Sequence, residues 1–354
     1  MRRIIASLML LLTSIGFSQN IEKPIHEKTR IAKKKAKRFL RKQGIAGMAI
    51  SVSKNGELIW SEGFGYAARK PKVKIKPNET LFRIASISKS ITGVILAKLM
   101  DDRMIDLDSS IYTYLPDYPK KKYDFTVRQL AGHLAGIRSY KDNEFALNKK
   151  MSITEGINLF KNDSLLFEPS TQFLYNSFGY VLLSEVMQKA AKKDFYKLAQ
   201  DSVLNPLGLQ NTLLDASDID MPNRTSFYKS KRVLSVPVAN EYKLAGGGFL
   251  STSEDIVKFG RELIDPKIIS KESLAEITTS QTFKSGNFTG YGIGFSIDKT
   301  KNNTPKYYHT GGGVGASTIL MIFPKEDIVI CVLTNRTGVK MDEFGLELQE
   351  VFVN

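Results

Sequence analysis

The stretch Arg83-Ile84-Ala85-Ser86-Ile87-Ser88-Lys89-Ser90-Ile91-Thr92-Gly93-Val94-Ile95-Leu96-Ala97 decides how the rest of the chain is read. Between Ser86 and Ala97 the only ionisable side chain is Lys89, and apolar residues point in nearly every direction around a helix expected from about Ser86 to Met100. A helix that is hydrophobic all round is a buried one. Ser86 and Lys89, three apart, share a face, and Gly93 on that face leaves room beside them. A lysine held there is desolvated and lies near the positive end of the helix dipole, so both effects lower its pKa and let it accept a proton from serine. The free N–H groups of the first turn favour an oxyanion developing at Ser86. As a bare pattern Ser-x-x-Lys is common and mostly marks a solvated lysine after a helix cap. Placement in an apolar helix separates this one from that background.

Upstream, Gly47–Lys54 and Glu57–Phe64 read as two strands joined by Asn55-Gly56, the turn pair that tolerates positive φ at both positions. Downstream, residues 106–240 read as mostly helical pattern broken by loops, with Pro116, Pro119, Pro169 and Pro206 as punctuation. At Ala245-Gly246-Gly247-Gly248-Phe249-Leu250-Ser251 the backbone loosens; a helix is expected next, with Ser251 as N-cap and Glu254 completing a capping box. Strands are expected over Tyr291–Ile297, Ala316–Phe323 and Ile328–Thr334, and a last helix from about Asp342. Strands at both ends with a helical block between them imply an α+β fold, one antiparallel sheet flanked by helices. The expected division is a sheet domain of 46–105 and 241–354 with a helical subdomain, 106–240, inserted in it.

The 354 residues suffice for a large core, and the net charge of +15 favours anionic partners or surfaces without bearing on the fold. Met1-Arg2-Arg3, the apolar run Ile4–Phe17 and small residues at Gly16 and Ser18 read as a cleavable signal peptide, 1–18, and hence an exported, periplasmic or secreted protein. An uncleaved anchor is the alternative, although the run is short of the ~20 residues of a span. The segment 19–45 is basic; from Glu27 to Lys42, Ile31, Ala32, Ala36, Phe39 and Leu40 recur at helical spacing. That helix either binds an anionic surface or packs by one stripe with a solvated basic face. No aromatic interleaving suggests nucleic acid. The lone Cys331 reads as a core residue, and His26, His133 and His309 are not at ligand spacing, so neither a metal nor a cofactor is expected.

Two further segments bear on Ser86. Tyr175 precedes a helix with an apolar face in Phe173-Leu174-Tyr175-Asn176-Ser177-Phe178-Gly179-Tyr180, where alone it would read as a core or interface tyrosine. His309-Thr310-Gly311-Gly312-Gly313 leads into the strand Ala316–Phe323, and glycines in a strand often mark close approach to a ligand. In this order the three segments resemble the serine β-lactamase and penicillin-binding-protein family, class C type, with its Ser-x-x-Lys, Tyr-x-Asn and Lys- or His-Thr-Gly. Thr126–Ile137, Asn205–Leu209 and Ala245–Thr252 resemble lesser family segments, and the likeness spans roughly residues 30–354. It is strongest toward the branch of the mitochondrial β-lactamase-like serine protease.

The resemblance implies that Ser86 is the acylated nucleophile and Lys89 its activator. It implies that Tyr175 shuttles protons, its phenol acidified by nearby cations. His309 stands in place of the usual lysine, with Thr310 and Gly311 completing the motif, and the oxyanion hole falls to the N–H groups of Ser86 and Gly312. Ser177 replaces the usual Asn and removes an amide that can bind a substrate carbonyl, and His309 is a weaker, titratable cation. Both departures point away from an efficient β-lactamase and toward a peptidase or amidase of D,D-peptidase or D-amino-acid type. A short-acyl esterase or weak β-lactamase is the nearest rival for small peptide or ester substrates. A non-catalytic binding or assembly protein using the basic helix is the rival of another class. His133 reads as a packed or cleft-wall residue rather than a catalyst.

Overall fold

The computed structural model describes residues 24–353. The signal-peptide reading of 1–18 lies outside them. The helices are α1 (Ile25–Lys42), α2 (Ser88–Asp101), α3 (Val127–Ala131), α4 (Ile153–Gly156) and α5 (Phe178–Ala191), then α6 (Phe195–Ala199), α7 (Leu244–Gly247), α8 (Ser253–Arg261), α9 (Lys271–Thr278) and α10 (Asp342–Phe352). The strands are β1 (Gly47–Lys54), β2 (Glu57–Arg69), β3 (Lys72–Lys74), β4 (Phe82–Arg83) and β5 (Leu213–Leu214), then β6 (Phe249–Ser251), β7 (Ser296–Lys299), β8 (Pro305–Gly313), β9 (Ala316–Phe323) and β10 (Ile328–Thr334). Seven of them form one antiparallel sheet in the order β3-β2-β1-β10-β9-β8-β7, so the first hairpin and the last three strands meet where β1 pairs with β10. The fold is α+β.

The hairpin turn is as expected, with φ +53° at Asn55 and +80° at Gly56. Strands β9 and β10 are buried along their whole length because both faces of the sheet are covered. On one face Ile319, Met321, Ile330 and Val332 join Ala32, Ala36 and Phe39 of α1 and Phe344 and Leu348 of α10. On the other, Leu320, Ile322, Val329, Cys331 and Leu333 join Ile256 and Phe259 of α8 and the large core around α2 and α5. Cys331 is thus a core residue.

Three expectations are corrected. Ser251 pairs with Phe82 in the small β4-β6-β5 sheet, so the cap of α8 falls to Thr252, whose hydroxyl accepts from the Asp255 N–H, and Glu254 instead accepts from the Ser61 hydroxyl. The strand expected from Tyr291 starts only at Ser296, because Gly294, at φ +79°, turns the chain around α2. Residues 106–240 are less helical than their pattern: α5 is the one long helix there, and the others are short, α3 and α4 held by capping boxes at Thr126 and Ser152 and α6 capped by Asp194.

Candidate active site

Ser86 stands in a single tight turn, Ala85–Ile87, that runs into α2, so the regular helix begins two residues after it rather than at it. Ala85 has φ +49°, a left-handed conformation that costs a side-chain-bearing residue on the order of 1 kcal/mol. The turn is held from both sides: the Thr318 hydroxyl of β9 donates to the Ile84 carbonyl at 2.9 Å, and the Ile84 N–H donates to Phe249 of β6 at 3.1 Å. Strand β8 can approach this turn only because Gly311 has no side chain; a Cβ there would lie 2.1 Å from Thr318 Oγ1 and 2.6 Å from the Ile84 carbonyl. At Gly312 a Cβ would meet nothing within 4 Å, so that glycine keeps space open instead. The ladder of β7 on β8 ends at Tyr308, which leaves the edge from His309 to Gly313 unpaired by it and facing the Ser86 turn.

Lys89 is completely buried, and every residue of α2 from Ser88 to Ala97 is buried with it. Its Nζ lies 2.7 Å from the Gly246 carbonyl, 3.1 Å from Ser177 Oγ and 3.4 Å from Ser86 Oγ. No carboxylate among the described residues pairs with it, and burial pulls its pKa down to about 7. A neutral amine has two N–H donors and one lone pair. With the donors given to Gly246 and Ser177, the lone pair is left for the Ser86 hydroxyl. The space expected beside Gly93 is filled: a Cβ there would lie 2.5 Å from the Ile293 carbonyl. That close approach seats the 291–294 turn against α2.

Tyr175 reaches the same point from the segment before α5, with its hydroxyl within interaction reach of the Ser86 side chain. Lys89 Nζ lies 4.9 Å from the centroid of its ring and so attracts the π-face, not the oxygen. The expectation of an acidified phenol fails. Enclosure of the hydroxyl raises its pKa and outweighs the Ser86 contact, although the residue as a whole is 38 % exposed and this tempers the rise. Tyr175 therefore carries its proton at neutral pH.

His309 is also not the cation expected. It is buried, its Nδ1 lies 2.6 Å from the Thr310 carbonyl, and its Nε2 lies 3.1 Å from the Tyr291 hydroxyl. A ring that donates from Nδ1 can only accept at Nε2, so the Tyr291 hydroxyl donates to it. Burial and the Lys89 charge lower its pKa to about 3, so the imidazole is neutral throughout the physiological range. His133 is buried in an aromatic box, its ring centroid 4.6 Å from Tyr175 and 4.8 Å from Tyr291. Desolvation lowers its pKa well below the usual histidine value.

Ser86, Lys89, Tyr175, Ser177 and the glycines of β8 thus converge on one cleft. Sequence reasoning missed the Gly246 carbonyl, Tyr291 behind His309, and the cleft walls Arg83, Tyr140, Asn240 and Lys243. The triple glycine 246–248 was the available signal for the first. No cluster of His, Cys, Asp and Glu suited to a metal ion occurs among the described residues.

The family model of β-lactamases matches residues 32–351. This chain belongs to the β-lactamase family. It is a serine hydrolase. Among its relatives is the mitochondrial serine β-lactamase-like protein LACTB, 29% identical in Homo sapiens and 30% in Bos taurus, each aligned over 86% of this chain and 76% of the relative. Among solved structures, a β-lactamase/D-alanine carboxypeptidase from Yersinia pestis superposes with a TM-score of 0.79 at 23% identity, over 94% of this chain and all of the other. A D-amino acid amidase from Ochrobactrum anthropi gives 0.77 at 21%, over 92% and 98%, and the hydrolase EstCE1 gives 0.78 at 19%, over 93% and 99%. These structural likenesses speak for the penicillin-binding-protein and β-lactamase fold. Within the family, this member's His-Thr-Gly strand presents no positive charge to the cleft.

Proposed function

We propose that the chain is an exported acyl hydrolase that cleaves amide or peptide bonds, of D,D-peptidase or D-amino-acid amidase type, through an acyl-enzyme on Ser86. The observation that carries this reading is Lys89, a fully buried amine whose two donors have acceptors and whose third neighbour is Ser86 Oγ. In the proposed cycle neutral Lys89 takes the Ser86 proton as Oγ attacks the substrate carbonyl. The N–H groups of Ser86 and Gly312 hold the oxyanion. As the tetrahedral adduct collapses, the leaving amine takes the Tyr175 proton, and the proton that Lys89 holds passes to the Tyr175 oxygen. Water then attacks the acyl-serine by the reverse relay. An extended substrate would lie along the unpaired edge of β8.

A neutral His309 supports the preference for amidase over β-lactamase chemistry, because it offers no cation to the carboxylate of a penicillin-type substrate. Likeness to the D-amino acid amidase and the D-alanine carboxypeptidase supports it too. A short-acyl esterase is favoured by one observation, the likeness to EstCE1, a hydrolase with promiscuous acyltransferase activity. Export is supported by the charge and apolar pattern of residues 1–18.

The test is a panel of D-alanyl peptides, D-amino-acid amides, p-nitrophenyl esters and nitrocefin, with Ser86→Ala as control. Turnover of D-amino-acid amides or peptides above esters upholds the reading; ester turnover alone replaces it with the esterase. If folded protein reacts with neither a fluorophosphonate nor a β-lactam probe, the acyl-enzyme itself is refuted.

A further inference from the structure

The cleft beside Ser86 is bounded by Arg83, Tyr140, Ser177, Asn240, Lys243 and Gly247, among others. Two of its lining residues are cations and none is a carboxylate. The two cations are placed differently. Arg83 is satisfied: its Nε donates to Asp215 Oδ2 at 2.6 Å, its Nη1 donates to the Val314 carbonyl at 2.9 Å, and its guanidinium lies 3.8 Å from the Phe227 ring centroid. The same Asp215 oxygen accepts from Asn240 at 2.6 Å. That acid is spent.

Lys243 has no such partner. It is 6 % exposed, its Nζ donates to the Phe145 carbonyl at 3.1 Å, and it lies 5.3 Å and 5.9 Å from the Tyr242 and Tyr140 ring centroids. No carboxylate among the described residues lies within ion-pair distance of it. The field of Asp215 and Glu241 reaches it, but burial and the Arg83 charge prevail and lower its pKa to about 8. A buried ammonium held by neutral groups alone is costly to fold. It becomes favourable once an anion enters and supplies the missing charge-assisted bond.

We propose that Lys243, with Arg83 behind it, binds a carboxylate of the substrate, so that the enzyme selects acyl compounds bearing an anionic group beside the scissile carbonyl. The inference rests on the acyl-hydrolase reading of Ser86. It also accounts for His309: the cation absent from the β8 strand is supplied instead by the segment preceding α7. Esters and amides without a carboxylate are then turned over more slowly than their carboxylate-bearing counterparts, whatever their length.

The experiment compares matched carboxylate and carboxamide substrates. N-acetylaspartyl and N-acetylasparaginyl 4-nitroanilides, in both configurations, place the charge on the acyl side. D-alanyl-D-alanine peptides and their terminal amides place it on the leaving side. The readout is the ratio of kcat/KM within each pair, which is insensitive to the fraction of folded enzyme. In at least one pair the native enzyme should favour the carboxylate by about tenfold or more, the worth of one charge-assisted hydrogen bond. Lys243→Met should bring that ratio close to one, and Lys243→Arg should restore much of it. A ratio near one in every pair, or one untouched by Lys243→Met, overturns the anion pocket and leaves the hydrolase standing. Should no pair be turned over, the same comparison is made on fluorophosphonate labelling of Ser86, with N-acetylaspartamide and N-acetylasparaginamide as competitors. Equal protection, or none, also overturns the pocket. Absence of labelling altogether refutes the acyl-enzyme reading instead.

Discussion

Helices α1 and α2 both carry lysines, and they use them in opposite ways. On α1 the apolar stripe Ala32, Ala36 and Phe39 is buried, Phe39 stacking on Phe344 at 4.2 Å, while Lys33 meets Glu62 and Lys35 and Arg38 meet Glu347 on the wet side. On α2 the lysine is in the core and its neighbours are a carbonyl and two hydroxyls. The first arrangement leaves those cations wet and paired, at little cost. The second makes an amine that is half deprotonated near neutrality, at a cost in stability. Residue type is the same in both; depth and the absence of a carboxylate create the reactivity.

The contrast can be broken at several points. Ser86→Ala should give the largest effect, a loss of about 10⁴-fold or more in kcat with the fold intact, measured on the best substrate of the panel. Lys89→Met should lower acylation by about 10³-fold and yet raise the melting temperature. The sign follows from linkage. Between about pH 7 and 10.5 the unfolded lysine binds a proton that the folded one does not, so native stability rises with pH through that window. The advantage of Lys89→Met, on the order of 1–3 kcal/mol at pH 7 after loss of its hydrogen bonds, should therefore shrink as pH approaches 10.5. Equal melting temperatures across that range would falsify the burial cost.

Phe39→Ala tests the other helix. It should destabilise by about 3 kcal/mol through lost stacking and a cavity, read by denaturant unfolding, while kcat/KM on folded enzyme stays put. Acylation by the native enzyme should fall about fivefold from pH 7 to pH 6 as Lys89 gains its proton. His309 and His133 should add no inflection in that range, since burial keeps both neutral. Glu347→Gln should have the smallest effect, under about 1 kcal/mol and reduced further by salt, because its pairs with Lys35 and Arg38 lie at the surface, open to water on one side.

What the sequence made legible were features settled by neighbours in the chain. The Asn55-Gly56 hairpin and the strands Ala316–Phe323 and Ile328–Thr334 follow from local turn chemistry and apolar runs. The convergence of Ser86, Lys89 and Tyr175 was readable only through resemblance to the family's motifs, because Tyr175 alone reads as a core or interface tyrosine. What was not legible depends on partners far away in sequence. His309 is neutral because the closed core and the Lys89 charge surround it, and Asp215, whose field reaches Lys243, makes its ion pair with Arg83, 132 residues away in the chain. Gly294 reads as a weak strand residue until Lys89, whose carbonyl a Cβ would strike at 2.3 Å, is seen beside it.

The half-paired β8 has a meaning for solubility as well as for substrate. An open strand edge invites another chain to pair with it. At the far side of the sheet the edge strand β3 is only Lys72-Val73-Lys74, short and doubly cationic. At the near side β7 covers β8 up to Tyr308, and the remaining bonding edge, His309 to Gly313, is sunk against the Ser86 turn. Only a single slender strand can reach it, and an incoming sheet cannot. Recessing that edge lets the molecule keep one site for backbone pairing without becoming a template for its own aggregation.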